Sequence, residues 1–178
     1  MKRLLLSTLF VLGTIFAYSQ ERIPVDLDNS RVYLNLLVPS FTLEQKISTN
    51  QSLLATAGLR LYGEEQFDHF EVSLNPFAEL EFRNYYPRRN VKKELNQNSG
   101  NFVGAIAGFT FSDLVGTSEI DTYTYNNDFY FAGIWGIQRN YKSGIHLNLK
   151  LGPQIIIGDD EVEGDLYIHF GLGIQLGN

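Results

Sequence analysis

Residues 144–177 read GIHLNLKLGPQIIIGDDEVEGDLYIHFGLGIQLG, and this stretch decides the fold. Apolar side chains occupy alternate positions over residues 145–157 and again over 166–176, with polar or small residues between most of them. A period of two is the signature of a β-strand, because successive side chains leave a pleated chain on opposite faces. The two runs are joined by the acidic segment 158–164, and together they predict an antiparallel hairpin.

Both runs are longer than the strands of ordinary soluble sheets. Each extends for roughly 11–13 residues, whereas a soluble strand usually has about 5–6 and a tilted strand of about 9–11 crosses a bilayer. One face is aliphatic or aromatic, and the other carries small, amide and ionisable residues, as in a membrane barrel that is apolar outside and polar inside. Periodicity does not say which face points outward, so a soluble barrel with its apolar face inward stays open.

The N-terminal residues predict export. Lys2 and Arg3 precede an uncharged apolar run over residues 4–16, and Ala17-Tyr18-Ser19 places small residues at the two positions that a signal peptidase reads. The chain contains no cysteine, so we expect neither a lipoprotein anchor nor disulfide bonds. We therefore predict a signal peptide over residues 1–19 and one β-barrel domain over residues 20–178.

Composition narrows the class of protein further. The net charge of −6 and the isoelectric point near 5.0 argue against nucleic acid as a partner. After the leader, no apolar run approaches the roughly 20 residues of a helical span, so a membrane-embedded form would have to be a closed barrel. The content of 16 glycines and 13% aromatic residues fits crowded interiors and aromatic girdles, and we expect Tyr85, Tyr86 and Tyr141 near one rim.

The remaining chain supplies the other strands. Alternation recurs over residues 31–38, 41–47, 53–61, 70–86, 101–111 and 129–141. Pro39-Ser40 leaves open whether residues 31–47 form one kinked strand or a hairpin, and the even strand number of bacterial single-chain barrels favours the hairpin. The sequence therefore predicts an all-β fold, a single closed antiparallel up-and-down β-barrel of about eight strands that is transmembrane and of the outer-membrane type.

The connections differ in charge. The segments 63–68, 113–127 and 158–164 are acidic and fall on one side of such a barrel, and the long basic connection 87–100 falls on the other. We expect the acidic loops outside the cell, near lipopolysaccharide phosphates and their bridging cations. We expect the polar lead 20–29 to be mobile and the connection 87–100 to be solvated.

The polar face of the strands gathers ionisable residues that we assign to the lumen. They are Glu44, Lys46, Arg60, Glu79, Glu81, Arg83, His146, Lys150 and His169. Buried charges persist only when they are paired and hydrogen-bonded, and side chains just fill the interior of an eight-stranded barrel. We therefore expect an ionic network that plugs the lumen, and a gated or narrow porin-like path is the alternative.

No set of residues has a diagnostic catalytic or metal-binding spacing. His146 and His169 share the inward parity on neighbouring strands, but a zinc site needs further ligands at defined positions. A calcium loop that starts at Asp159 would require a bidentate Glu where Phe170 stands. No serine lies in a motif that supplies a base. We expect no catalytic residue, no metal and no cofactor.

Several runs resemble small outer-membrane β-barrel proteins of Bacteroidota. They are LNLLVPSFTLEQKIS at 34–48, LNPFAELEFRNYYPRRNVKKELNQNSGNFVGAIAGF at 74–109, FAGIWGIQRNY at 131–141 and LNLKLGPQ at 147–154. The shared features are a secretory leader, an acidic residue in the second strand (Glu44), an aromatic-basic end to the fourth strand and a Gly-Asn-aromatic restart (Gly100-Asn101-Phe102). This resemblance implies the fold and the location, and it carries no catalytic residues.

These observations together favour one function and leave two others open. We expect a monomeric outer-membrane β-barrel protein of a Gram-negative bacterium that contacts membrane lipid and lipopolysaccharide and has a structural or surface-loop role. The first alternative is a soluble lipocalin-like barrel that binds an apolar ligand. The second is an outer-membrane lipid-modifying enzyme. Detergent dependence separates the first expectation from the lipocalin-like alternative.

Overall fold

The computed structural model describes residues 24–66, 69–87, 94–112, 115–116, 127–158 and 162–176. The predicted signal peptide over residues 1–19 lies outside this part of the chain, as do most of the acidic segment 113–127 and residues 88–93 of the basic connection. No helix within the described ranges is long and apolar enough to cross a lipid bilayer.

The described residues form nine strands in a single antiparallel sheet. The strands are β1 (Ser30–Asn35), β2 (Ser40–Ser48), β3 (Gln51–Gln66), β4 (His69–Tyr85), β5 (Gly100–Thr110), β6 (Val115–Gly116), β7 (Asp128–Asn140), β8 (Ile145–Ile157) and β9 (Val162–Leu176). Eight of them pair in chain order, and β9 returns to pair with β1. The short β6 adds to β4 outside this ring. The predicted closed eight-stranded up-and-down barrel is confirmed.

The first hairpin settles the uncertainty around Pro39. Residues 36–39 form a turn, and β1 pairs with β2 from Asn35 opposite Ser40 down to Ser30 opposite Gln45. The hairpin interpretation is therefore correct. The segment 63–68, by contrast, is not wholly a loop, because β3 continues to Gln66 and β4 begins at His69.

Side chains alternate between the two faces of the wall as the sequence pattern predicts, and the structure decides their direction. On β4, Leu80 is 57% exposed, whereas the neighbouring Glu81 is 2% exposed. The same holds for β8, where Leu151 is 43% exposed and Lys150 is 4% exposed. Large apolar side chains are exposed on β2, β3, β4, β5, β7, β8 and β9. The apolar face therefore points outward and the charged face points into the lumen.

One end of the barrel is covered. Strands β1, β3, β5 and β8 begin at this end, which we call the basal end, and the segments 24–29 and 94–100 fold over it as a basal cap. Val25 and Leu27 are 2% and 3% exposed. The backbone N–H of Asn98 donates to the carbonyl of Asp26 at 2.8 Å, and that of Asn96 donates to Asn140 at 2.7 Å. The expectation of a mobile lead is therefore wrong for Val25 and Leu27, because these two side chains pack in an apolar cluster with Tyr85 and Phe102. The expectation of a solvated connection rested on the basic residues between 88 and 93, which lie outside the described residues.

Candidate functional site: the polar lumen

The basal half of the lumen is organised around Glu44 on β2, which is fully buried. Its Oε1 atom accepts hydrogen bonds from the hydroxyls of Ser52 and Tyr85, both at 2.7 Å. Its Oε2 atom accepts from the hydroxyl of Tyr33 at 2.8 Å and from the side-chain amide of Gln138 at 3.0 Å. A buried charge is tolerated when its acceptor positions are filled, and here four uncharged donors from four strands fill them.

The same cluster ties the basal cap to the barrel. The Gln138 amide also donates to the backbone carbonyl of Asn98 at 2.8 Å. Asn140 donates to the Tyr33 hydroxyl at 3.0 Å, and its Oδ1 atom lies 2.7 Å from Nδ1 of His146. The His146 ring stacks on Tyr33 with 4.1 Å between ring centroids. His146 is thus held between an amide and an aromatic ring inside a packed structure.

The centre of the lumen contains the ionic part of the network. Glu81 accepts from Nη2 of Arg83 at 3.1 Å and from Nζ of Lys150 at 3.0 Å. Lys150 also lies 3.8 Å from the second carboxylate, Glu79. The Arg83 guanidinium donates to Gln138 and lies 4.2 Å from the centroid of the Phe102 ring. Arg83 therefore connects the ionic centre with the basal half.

Toward the other end, Glu79 collects three donors. Nη2 of Arg60 lies 3.0 Å from its Oε1 atom, and the hydroxyls of Tyr130 and Tyr167 donate to the same oxygen at 2.6 and 3.2 Å. Tyr130 reaches this oxygen because Gly108 leaves room for its ring, since a Cβ atom at Gly108 would lie 2.1 Å from the ring carbon Cζ. A glycine of β5 thereby permits the contact to a carboxylate of β4.

The nine predicted lumen residues occupy different surroundings. Glu44, Glu79, Glu81, Arg83, His146 and Lys150 are buried, and Arg60 and His169 are half-buried. Lys46 donates from Nζ to the backbone carbonyl of Leu27 at 3.2 Å, so its described contact is with the basal cap. Glu44 is held by uncharged donors, which the expectation of charge pairing did not include.

The two histidines do not converge. In the β8–β9 ladder His146 lies opposite Gly173, and His169 lies opposite Lys150, four positions further along. Four residues of a strand span about 13 Å. A shared zinc ion would need both ring nitrogens at about 2 Å. Among the described residues, no group of three or more His, Asp or Glu side chains is placed to hold a metal ion.

Sequence reasoning missed the uncharged half of the network. Tyr33, Tyr130, Tyr167, Gln138 and Asn140 all have the inward parity, and this parity was the available signal. Their types are also common on solvated strand faces, so the pattern gave no reason to single them out. Tyr85 was expected at the rim, and the structure corrects this position, since the residue is 1% exposed inside the lumen.

The filled lumen leaves little free space. The described cavity at its centre, bordered by residues such as Glu81, Arg83 and Lys150, has a volume of about 20 Å³. A water molecule needs a cavity of at least about 10–15 Å³, so roughly one water fits. An apolar ligand of the kind that lipocalin-like barrels hold has no room here. The arrangement at the centre can position and neutralise charges, and it offers no space for a substrate beside Glu81, Arg83 and Lys150.

Comparisons of the chain with protein-family models, with curated proteins and with solved structures found no match. The resemblance to Bacteroidota barrels thus stays a prediction from the sequence.

Proposed function

We propose that this protein spans a bacterial outer membrane as a monomeric β-barrel whose lumen is closed by the polar network. In this proposal its role is structural or is carried by the loops that leave the membrane. The observation that carries the proposal is the direction of the two faces: Ile168 is 66% exposed, whereas Glu81 and Lys150 are 2% and 4% exposed.

The outer surface suits a lipid environment better than water. Monomeric soluble proteins rarely expose apolar patches larger than a few hundred Å². Here exposed aliphatic and aromatic side chains follow one another around seven strands, and we call this surface the apolar belt. It includes Phe41, Leu80, Phe131, Leu151 and Ile168. In a bilayer these side chains would meet acyl chains, and the closed ring would satisfy the backbone hydrogen bonds.

The interior supports the same environment. A charged side chain at the centre of a bilayer costs about 2.5–3.5 kcal/mol even on the lowest scale, so charges within the span have to face inward. Glu79, Glu81, Arg83 and Lys150 do so on the strands whose other face carries the belt. The basal cap closes the same interior at one end. We place this end in the periplasm, where connections between strands are usually short: residues 49–50 and 141–144 fit this rule, and the long connection 86–99 does not. The acidic segments then lie outside, near lipopolysaccharide.

Extraction from membranes tests the proposal. The full chain, expressed in a Gram-negative host, should appear in the outer-membrane fraction and leave it only with detergent. Unheated samples should migrate faster on an SDS gel than boiled ones, because a closed barrel resists SDS until it is heated. A mature chain that is soluble and monomeric in plain buffer would contradict the proposal and would favour a soluble barrel.

A further inference from the structure

The wall of the barrel is incomplete beside the first hairpin. Strand β9 pairs with β1 only over residues 173–176, and the last bond on that side is from the Leu36 N–H to the Leu172 carbonyl at 2.8 Å. Strand β3 pairs with β2 only from Gln51 to Gly58, and the last bond there is from the Leu59 N–H to Pro39 at 2.9 Å. Beyond these points, β9 pairs with β8 alone and β3 with β4 alone among the described residues. A lateral opening therefore lies between β9 and β3, beyond the turn 36–39.

A recess of about 290 Å³ occupies this opening. It is bordered by the outward-facing Leu166, Ile168 and Phe170 and also by the inward-facing Tyr167 and His169. Arg60 of β3 borders it on the far side and Val38 borders it at the turn, so the recess lies in the gap where no described strand stands between β9 and β3. The recess therefore connects the outer surface of the barrel with the lumen.

The turn beside the opening is apolar. Residues 36–39 are Leu-Leu-Val-Pro, and Leu36 and Leu37 are 55% and 53% exposed. Turns in water usually contain Gly, Pro, Asn, Asp or Ser, and this turn contains only Pro39 of these. The Leu36 N–H and the Pro39 carbonyl have partners in β9 and β3. The Val38 carbonyl accepts from the Ser40 hydroxyl at 2.9 Å, and Pro39 has no N–H to satisfy. Such a turn fits the hydrocarbon layer, so the opening lies at the level of the apolar belt.

The inner end of the recess presents a cation. The Arg60 side chain borders it and is 24% exposed, whereas its partner Glu79 is 4% exposed and does not border it. Gln154 also borders the recess, and its amide lies 3.3 Å from the Asp165 carboxylate. Asp165 is not among the bordering residues. The Arg60 guanidinium thus borders the opening, and the Glu79 carboxylate with which it pairs lies behind it.

We propose that this lateral opening binds a single-chain amphiphile with an anionic headgroup, a long-chain fatty acid in the simplest case. The carboxylate would enter from the lipid side and meet Arg60, and the alkyl chain would lie outside against Val38, Ile168 and Phe170. The inference rests on the proposed membrane location, because only then does the outer mouth of the recess open into acyl chains. A guanidinium suits this headgroup because it offers two parallel donors to one carboxylate.

Nuclear magnetic resonance in a neutral detergent tests the assignment. The folded mature chain is titrated with a fatty acid that carries a nitroxide near the middle of its chain, and the line widths of the backbone amides are followed. We expect saturable broadening centred on Val38 and Ile168. The nitroxide-labelled alcohol of the same chain length lacks the charge, so it should give weak broadening that rises linearly with concentration. Equal, non-saturating broadening around the whole belt for both probes would overturn the proposal.

Substitutions of Arg60 test whether its positive charge contributes to binding of the fatty acid. Arg60→Gln should weaken binding of the fatty acid about tenfold or more, as expected for the loss of a charge-assisted hydrogen bond, and Arg60→Lys, which keeps the charge but loses the second parallel donor, should weaken it by less. Arg139→Gln is the matched control, since Arg139 lies near the basal end and donates to Gly100 and Asn101. If Arg60→Gln does not fold, the comparison of acid and alcohol on the unmodified protein still decides the question.

The same samples distinguish a failure of the lateral binding site from a failure of the proposed membrane location. A barrel that requires detergent and shows heat-modifiable migration, yet has no saturable site, would overturn only the lateral site. A chain that stays soluble without detergent would overturn the membrane location first. A detergent-solubilised dimer whose contact protects the β9 edge would also overturn the amphiphile site, because a second copy would then occupy the opening.

Discussion

Replacing Glu81 with glutamine tests whether the lumen network stabilises the barrel. The Glu81 carboxylate is 2% exposed and accepts hydrogen bonds from Arg83 and from Lys150. Glutamine has the same shape but no charge, and its amide turns an N–H donor toward one of the two cations. Removing one partner of a buried ion pair costs about 3–5 kcal/mol, because the remaining charge stays buried without its counter-charge. Lys150 keeps Glu79 at 3.8 Å, so we expect a loss near the lower end of that range.

Unfolding in urea measures this loss. The chain contains one tryptophan, Trp135, which is 39% exposed on the outer face. If the belt lies in lipid, as proposed, the fluorescence of Trp135 reports when it leaves that environment. The mature chain is folded into lipid vesicles and titrated with urea in both directions. A loss of about 3 kcal/mol should lower the midpoint by about 1 M or more at the slopes usual for small proteins.

Glu163→Gln is the matched control for this experiment. The same Glu-to-Gln substitution is made on β9 at Glu163, which is exposed. Exposed substitutions away from special features usually change stability by less than about 0.5 kcal/mol. If Glu81→Gln and Glu163→Gln give the same midpoint, the buried charges of the lumen do not hold the barrel together, and our reasoning about the network is refuted.

Three further predictions concern the belt, the lumen and the packing of glycine. Leu151→Arg places a charge on the outer face and should lower the stability of the folded barrel in a bilayer by about 2–4 kcal/mol, whereas Ser143→Arg in the exposed turn should lower it little. The fraction of folded protein on unheated gels compares the two variants. Equal folded fractions would favour a soluble barrel. In planar bilayers the folded protein should give no steady current, because the central cavity is only about 20 Å³, and an ohmic conductance would contradict a closed lumen. Gly108→Ala should lower the stability by about 1–3 kcal/mol in the same urea titration, because the added carbon forces the Tyr130 ring aside. Gly133→Ala is the control and should have almost no effect, since nothing lies within 4 Å of its added carbon.

The strands and their two faces could be predicted from the sequence for a simple physical reason. In a barrel wall each side chain meets one of two environments, so parity alone separates outward Leu80 from inward Glu81. The direction of the two faces required the structure, because a period of two is the same whether the apolar side meets lipid or a core. Charged residues then served as markers of the inner face, since they have no stable place in an apolar belt.

The uncharged hydrogen-bond donors of the lumen and the basal cap were harder to predict from the sequence. Tyr33, Gln138 and Asn140 matter because they come together around Glu44 from strands that are distant in sequence. No local pattern encodes that convergence. Val25 and Leu27 are two apolar residues in a polar lead, too few for a periodic signal, and their burial depends on an apolar site formed by other parts of the chain.

The first hairpin shows why turn chemistry learned from soluble proteins left residues 31–47 ambiguous. A turn in water is usually marked by Gly, Pro, Asn, Asp or Ser, and Leu-Leu-Val-Pro offers only Pro39, which also fits a strand start or a kink. If the belt meets acyl chains, as proposed, polar turn residues would be unfavourable at this level. An apolar turn is then the more stable solution, provided that neighbouring segments supply partners for its backbone groups. Here the Leu172 carbonyl accepts from the Leu36 N–H, and the Leu59 N–H donates to the Pro39 carbonyl. It follows that the absence of polar residues between two alternating runs argues against a hairpin only where the turn lies in water.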